Sequence, residues 1–441
     1  MLMIVLRRWK GSAAIGKLPE VSTFPVTITR HQERFATAAP HRSLCTDCGI
    51  SRTSEPKRCA SACQFIAPQY ARLEREVHGR ERRAQGDDER FFGVFTHMWQ
   101  AALQPAAPGA QWTGITTGLA AELLSTGQVQ AVLTVAPDPQ DRWRPVPVLA
   151  KTTAELAACR GMRMGYAPTL ALLDEAKAQG ITRLAVIGIP CQVHALRALQ
   201  AKLGFDELFV IGTPCSDNTT TERFHQFLKL IDPKPEKVSY LEFCADYHVE
   251  LRYEDAPTRR IPFLMLPLSE LPADFFPLTC RTCVDYTNTL ADITVGYMGG
   301  QGEQWLVVRN ERGQAMLDGL KGRLKLTPPT SAGKRAGAVR GFLGNTLRAD
   351  GGLPLRRMPQ WLRPVVGWLM PRVGPRGLEF ARARVEMKAI ETVVHLRRHA
   401  KARMKSMVPP AVWRLVEPYG LEPTAQEASR SKPNIPRSRA R

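Results

Sequence analysis

The sequence predicts an α/β protein, α+β overall: a parallel βαβ core, preceded by a cysteine-rich module and followed by an α+β second lobe. Three observations predict it. From about residue 110 to 215, apolar runs of strand length alternate with amphipathic helical stretches. Before them, residues 41–90 hold four cysteines in a polar, Arg-rich setting with no convincing hydrophobic core, as suits a small module folded around a metal centre. After them, "VSYLEFCADYHVELRYED", beginning at Val238, has the pattern of a hairpin or edge strands.

Within the alternating region, "ITTGLAAELLSTG" spaces its apolar residues as a helix and "VQAVLTVAP" reads as a buried strand. "PTLALLDEAKAQG" is helical up to the stop at Gly180, and "RLAVIGIP" is the second strand. "QVHALRAL" is the next helix and "ELFVIGTP" the third strand. Strand, helix, strand in this order implies parallel strands covered by helices, with their carboxyl ends on one edge. The expected division is a 1–40 extension, a 41–90 cysteine module, a 91–230 α/β core, a 231–325 α+β lobe and a basic 326–441 region. In the last of these, "WLRPVVGWLMPRVGP" is interrupted by Pro364, Gly367 and Pro371 and is too short to span a bilayer. A buried structural loop, a segment lying on a membrane surface and a cover over a pocket all fit it.

At 441 residues, 44% of them hydrophobic, the chain is long enough for two or three domains with a sizeable core. Its net charge of +20 is uneven: residues 301–441 hold 28 Lys and Arg against 10 Asp and Glu, residues 1–300 hold 33 against 31. A basic region attracts nucleic acid, anionic lipid or an acidic protein, and a solvated tail fits as well. No secretory signal is read at the start, because the apolar run "MLMIVL" precedes its basic residues and is too short. The ten cysteines are therefore expected in a reducing compartment, where metal binding or redox chemistry is favoured over disulfides.

Cys191 and Cys215 both follow Gly-x-Pro at the end of a predicted strand, so the topology brings them to one edge. If the loop carrying Cys280 and Cys283 packs over that edge, four thiolates surround one point, as an iron-sulfur cluster or a structural zinc requires. Cys45, Cys48, Cys59 and Cys63 form a second set of four; zinc stays open for it, because Ser51 stands where a third closely spaced cysteine would complete a ferredoxin-like run. Cys159 and Cys244 are expected to be ordinary buried thiols. If both sets hold clusters they form an electron wire, and a flavin is its natural terminus. The candidate cradle is "GAQWTGITTG", where Gly109, Gly114 and Gly118 allow close backbone approach and Thr113, Thr116 and Thr117 offer hydroxyls at a helix start. A capped helix with small packing residues explains the same stretch.

The motifs "CTDCG" at 45–49, "VHGR" at 77–80, "FFGV" at 91–94, "GAQWTGI" at 109–115 and "DPQDRW" at 138–143 are individually unusual. So are "PCQVHALR" at 190–197, "CVDYTNTLADITVGYMG" at 283–299, "VRNERG" at 308–313 and "GPRGLEFAR" at 374–382. Through them the chain, from about Cys45 to about Arg384, resembles the coenzyme F-420 hydrogenase/dehydrogenase beta-subunit family, and within it the branch of chlorophyll-metabolism reductases. The resemblance implies a reductase that takes electrons from ferredoxin through two 4Fe-4S clusters to FAD. It implies hydride delivery to the 8-vinyl group of a divinyl chlorophyllide or protochlorophyllide. It also implies cluster ligands at Cys45, Cys48, Cys59, Cys63, Cys191, Cys215, Cys280 and Cys283, and flavin contacts from Gln111, Trp112, Thr113, Gly114, Thr116, Thr117, Tyr286 and Asn288.

The branch pattern is departed from at Ser51, where Cys59 is the replacement ligand or the first cluster is altered, and after Gly299, where the segment is short. Asp285, Tyr286 and His97 are the proton-donor candidates, with bound water an equal alternative. Reduction of a 7-hydroxymethyl group uses the same electron route, and reduction of a deazaflavin coenzyme keeps the cofactors. The 8-vinyl substrate is placed first because residues 1–40 lack the Ser-rich composition of a plastid transit peptide. The expected location is cytoplasmic with peripheral contact to thylakoid membranes, or plastid stroma in a eukaryote. A zinc-stabilised nucleic-acid-binding protein, suggested by the Cys pairs and the basic region, leaves the strand-end cysteines unexplained, so no nucleic-acid partner is expected.

Overall fold

The structure is a computed structural model and describes residues 45–428, apart from 84–87, 109, 245, 297–302 and 350–357. The expected 1–40 extension lies outside the described residues.

Eleven strands carry the architecture: β1 (His97–Leu103), β2 (Ala131–Asp138), β3 (Asp141–Ala150), β4 (Arg183–Gly188), β5 (Glu207–Gly212), β6 (Val238–Phe243), β7 (His248–Tyr253), β8 (Arg259–Pro262), β9 (Ile293–Gly296), β10 (Gln304–Val308) and β11 (Leu324–Thr327). Eight of them form one sheet in the order β11-β1-β10-β9-β5-β4-β2-β3. β2, β4, β5 and β9 run parallel, as the strand–helix–strand pattern predicts for β2, β4 and β5. The sheet is nonetheless mixed. β3 folds back on β2, and β10 runs antiparallel to both β9 and β1, so β1 again points the same way as β9.

The parallel strands are apolar on both faces because both faces are covered. Leu184, Val186, Leu208 and Val210 point into a core with Val193, Leu196 and Leu199 of the Pro190–Leu203 helix. The alternate residues Ala185, Phe209 and Ile211 pack on the other side against Ile115, Leu119 and Leu123 of the Ile115–Ser125 helix. This is the period of two that a strand imposes. The cysteine-rich segment borrows the first of these cores, to which it contributes Ile50, Ala62, Tyr70 and Leu73. β6, β7 and β8 make a separate antiparallel sheet, and its core includes Trp143, Phe224 and Phe227.

Three sequence expectations are corrected. The basic region is not a solvated tail over its described length. Its 22-residue helix Leu378–His399 is buried along most of its course, and Ile390, Val393 and Leu396 share a core with Phe92 and Trp305. "WLRPVVGWLMPRVGP" is not a loop but the helix Leu362–Val373: Pro364 sits in the first turn, where its missing N–H has no helical partner to lose, and Pro371 falls near the end. Finally, Cys159 and Cys244 are only half-buried. The first caps the short Thr153–Ala158 helix and the second follows β6 rather than lying within it.

Candidate functional site

The carboxyl ends of β4 and β5 deliver two thiols to one place. β4 stops at Gly188, Ile189 turns the chain, and Cys191 is the second residue of the Pro190–Leu203 helix. Pro190 suits the first helical position, where no N–H is needed. Gln192 fixes the turn by accepting from Ile189 N at 3.1 Å while donating to Ala167 O and Thr169 Oγ1 at 3.0 Å. β5 stops at Gly212, and Cys215 follows, its N–H donating to Tyr286 O at 3.0 Å. Asn288, in the segment leading to β9, donates to Gly188 O at 2.8 Å and to Thr213 O at 3.2 Å, so one side chain binds both strand ends. It does so from a left-handed backbone (φ 58°), which Asn tolerates better than most residues. Gly212 has to be glycine, because a Cβ there would stand 2.7 Å from Asn288 and Ala291 side-chain atoms.

Cys280 lies in the short Leu278–Arg281 helix and Cys283 just beyond it, and all four cysteines line a single narrow cavity together with Thr46, Gln64, Phe65 and Asp217. Among the described residues no three His, Cys, Asp or Glu side chains are gathered closely enough to hold a single metal ion. The thiols stand around a space rather than a point. Burial pushes Cys191 and Cys215 well above the ordinary thiol range, Cys280 up to about 12 and Cys283 up to about 11. The neighbouring thiolates push Cys191 and Cys215 further, so the four sulfurs ionise together only against positive charge. Lys388, buried on the Leu378–His399 helix, supplies some of it. Its Nζ donates to Cys280 O (2.8 Å), Asp217 Oδ1 (2.9 Å) and Glu391 Oε2 (2.8 Å), and its charge favours the Cys215 and Cys283 thiolates.

The N-terminal cysteines adjoin this cavity. Asp47 and Gly49 take left-handed backbone (φ 49° and 106°), which wraps the 45–49 loop tightly: Asp47 N donates to Cys45 Sγ at 3.3 Å, and Arg52 holds the Asp47 carboxylate with Nε at 2.9 Å and a second contact from Nη2. Leu170 N donates to Cys48 O at 2.9 Å, and a Cβ on Gly49 would lie 2.4 Å from Ala171 N. Cys59 opens and Cys63 closes the short Cys59–Ala62 helix. Burial raises Cys48 well above the ordinary thiol range and Cys63 to about 11, and the thiolates of Cys191, Cys63 and Cys59 add to the effect on Cys48. Cys48 and Cys191 are thus within electrostatic reach of each other. Thr46 hydrogen-bonds Cys191, and Gln64 donates to Cys283 Sγ at 3.5 Å while accepting from Tyr70 Oη at 2.7 Å. Ser51 lies in the Ile50–Arg52 turn of the same loop.

The candidate flavin segment does not line the four-cysteine cavity. It forms the start of the Ile115–Ser125 helix, with Trp112 (φ 57°) and Gly114 (φ 86°) left-handed. Gln304 Oε1 accepts from Ile115 N at 3.1 Å and from Thr113 Oγ1 at 3.3 Å, and Thr113 Oγ1 accepts from Leu103 N at 3.0 Å. Thr113 is therefore tied into the fold, whereas Thr116 and Thr117 are half-buried on the first helical turn. Gln111 hydrogen-bonds Glu242 of the second lobe. Of the remaining candidates, Tyr286 and Asn288 lie at the strand ends beside Cys215, and Asn288 Oδ1 is buried with no hydrogen-bond donor among the described residues.

Asp285 is buried and its carboxylate accepts from Thr289 N (3.0 and 3.1 Å) and Thr289 Oγ1 (3.2 Å). Burial raises its pKa. Cys283 Sγ donates weakly to Asp285 O at 3.8 Å, which makes Asp285 a neighbour of the cavity wall. His97, by contrast, is exposed at the first position of β1, its ring packed on Trp99, and it does not line the cavity. Lys388, Gln64 and Asp217 are site residues that sequence reasoning missed. The only signal near Lys388 is the "GPRGLEFAR" motif one turn and a half before it.

Residues 98–174 match the family profile for the coenzyme F420 hydrogenase/dehydrogenase beta subunit N-terminal part, and residues 181–332 match the profile for its C terminus. An uncharacterized protein of Nostoc sp. is 37% identical over 87% of this chain and 95% of its own length. The chloroplastic 7-hydroxymethyl chlorophyll a reductase of Oryza sativa subsp. japonica is 38% identical over 86% of this chain and 83% of its own. A chain of the F420-reducing NiFe hydrogenase complex of Methanosarcina barkeri aligns with 22% identity over 55% of this chain and 85% of that one, at a TM-score of 0.49. The strand-end cysteines, the Asn288 tie and the helix that caps them all lie in a chain that belongs to the coenzyme F420 hydrogenase/dehydrogenase beta-subunit family.

Proposed function

We propose that the protein is an oxidoreductase: a ferredoxin-dependent iron-sulfur flavoprotein that reduces a chlorophyllide-type tetrapyrrole, with the 8-vinyl group of divinyl chlorophyllide or protochlorophyllide as the group reduced. The observation that carries it is the ring of Cys191, Cys215, Cys280 and Cys283 around one cavity, with the second cysteine set against its wall through Thr46 and Cys48. A single ion draws its thiolates to about 2.3 Å from one point, whereas a four-iron cube holds them apart at its corners. Four thiols lining one cavity are a donor set that such a cluster takes. Cys45, Cys48, Cys59 and Cys63 are the residues that would hold the other cluster, with Cys59 standing in for the position taken by Ser51. When bound, two 4Fe-4S clusters and FAD supply one-electron relay and hydride transfer.

The chain's own residues do the rest. Asn288 and Gly212 fix the two strand ends so that Cys191 and Cys215 line the same cavity. Lys388, itself buried, offsets thiolate charge where that charge is poorly screened. Trp112, Gly114, Thr116, Thr117, Tyr286 and Asn288 Oδ1 are the proposed flavin contacts, joined by Gln111 and Thr113. The basic last third offers the charge that an acidic ferredoxin seeks. Asp285 is a poor proton donor, because both of its oxygens are occupied by Thr289. Tyr286 or bound water is the better choice.

A second reading, reduction of a 7-hydroxymethyl group, is favoured by the 38% identity to the rice reductase. One experiment separates them: anaerobic purification with iron and flavin quantified, then reduced ferredoxin with either substrate. About eight irons and one FAD per chain, with conversion of the divinyl pigment to the monovinyl form, supports the first reading. Turnover of the 7-hydroxymethyl substrate alone selects the second, and a colourless zinc protein discards both.

A further inference from the structure

We infer that the Leu362–Val373 helix is a membrane-surface anchor, lying in the headgroup region of an anionic bilayer with its apolar face towards the acyl chains. The inference is independent of the reaction proposed above. Among the described residues nine large hydrophobic side chains are exposed, and five belong to this one stretch: Trp361 (75%), Val365 (55%), Trp368 (61%), Leu369 (42%) and Val373 (52%). Their spacing of four, seven and eight residues from Trp361 gathers them on one face of a helix. A sixth, Met265, lies in the Phe263–Met265 turn that packs beside the helix, where a Cβ on Gly367 would stand 3.7 Å from Pro262. The opposite face is spoken for: Arg363 is buried and donates to Met358 O at 3.3 Å and Ser269 Oγ at 3.5 Å.

Two exposed tryptophans above a band of aliphatic residues, rimmed by cations, are what an interfacial helix requires. Arg372 on the helix and Arg376 just beyond it are exposed, and between Asp350 and Glu379 the sequence has no acidic residue. The Arg372 guanidinium lies 4.2 Å from the centre of the Trp368 ring, at the edge of the apolar face. The helix is about 18 Å long at 1.5 Å per residue, against roughly 30 Å of hydrocarbon, so it lies along the bilayer rather than crossing it. In agreement, no helix among the described residues is long and apolar enough to cross a membrane. A second copy of the chain is the poorer occupant. A two-fold contact through this face brings the like charges of Arg372 from the two copies together.

The test is flotation of the full-length protein with phosphatidylglycerol-containing vesicles and with pure phosphatidylcholine vesicles. It is repeated for a Trp361→Ser/Trp368→Ser variant whose thermal unfolding and visible spectrum match the wild type. The expected result is flotation with the anionic vesicles, a bound fraction at least about fivefold lower with the neutral ones, and a similar drop for the variant. Three results overturn the inference: no flotation of the wild type, equal flotation of the variant, or light scattering in which the wild type is a dimer and the variant a monomer. The last assigns the face to a second copy.

Discussion

Lys388 shows what a single residue contributes to this site. Burial works against its charge, yet Asp217 and Glu391 outweigh that and hold it protonated, well above the ordinary lysine range. Its side chain is only 3% exposed, so the two carboxylates depend on it and it on them. Replacing it by Met leaves the buried Glu391 and the half-buried Asp217 without this cation. Lys388→Met is expected to destabilise the fold by about 3–5 kcal/mol, read from urea denaturation. A cost below about 1 kcal/mol would show the three charges to be solvated in solution. The Glu427 carboxylate is the contrasting case, in a shallower setting. Arg397 grips it with two bonds of 3.1 and 2.8 Å and Thr424 N adds a third at 2.9 Å, holding its pKa down to about 2. A depressed carboxylate stabilises the fold above its unfolded value near 4.5 and loses that contribution as the pH falls towards about 2. Glu427→Gln should therefore cost about 1 kcal/mol at pH 7, and the gap to wild type should close on acidification. A gap independent of pH would mean that Glu427 acts through packing and not charge.

At the scale of elements, the strand ends organise the site. Gly212→Ala forces a methyl group to 2.7 Å from Asn288 and Ala291. The expected cost is about 1–3 kcal/mol, and the displaced Asn288 releases both Gly188 O and Thr213 O, so iron retained on purification should fall together with stability. Lowered melting temperature with full iron would separate the tie from the cysteine geometry. Elements of this kind were legible in the sequence to differing degrees. β4 and β5 are readable because both faces of a covered parallel strand are apolar and each ends in Gly-x-Pro ahead of a cysteine. β9 and β10, four and five residues long, fall below what periodicity resolves. The Leu378–His399 helix carries no apolar stripe because its charged residues Glu386, Lys388 and Glu391 pair inward, so its sequence reads as a solvated basic segment. The Leu362–Val373 helix is hidden by two prolines whose positions near its ends make them harmless. Site convergence was legible only where topology enforces it. The approach of Cys48 to Cys191 follows from the Leu170–Cys48 hydrogen bond and the shared core, which no spacing rule contains.

For the whole molecule, the decisive feature is that the two cysteine sets share a wall. Thr46 hydrogen-bonds Cys191, Gln64 reaches Cys283, and both come from the N-terminal segment, whose apolar residues are built into the α/β core. Neither set is a detachable module, and under the proposed function they act in series. Series and parallel arrangements differ in a measurable way. Cys45→Ser/Cys48→Ser should remove about half of the iron while leaving the second set and the flavin in place, because Cys191, Cys215, Cys280 and Cys283 rest on strand ends and the Leu378–His399 helix. Such a variant should still be bleached by dithionite, a small reductant that needs no docking surface. Reduced ferredoxin should reduce its flavin at least about a hundredfold more slowly than in wild type, as expected if electrons enter only through the N-terminal set. Cys280→Ser should block both reductants from the flavin less selectively, since it removes the last step before the acceptor. If ferredoxin reduces the flavin of the Cys45→Ser/Cys48→Ser variant at the wild-type rate, electrons enter at the strand-end cavity directly, and the N-terminal cysteines serve to hold the 45–63 segment against the core.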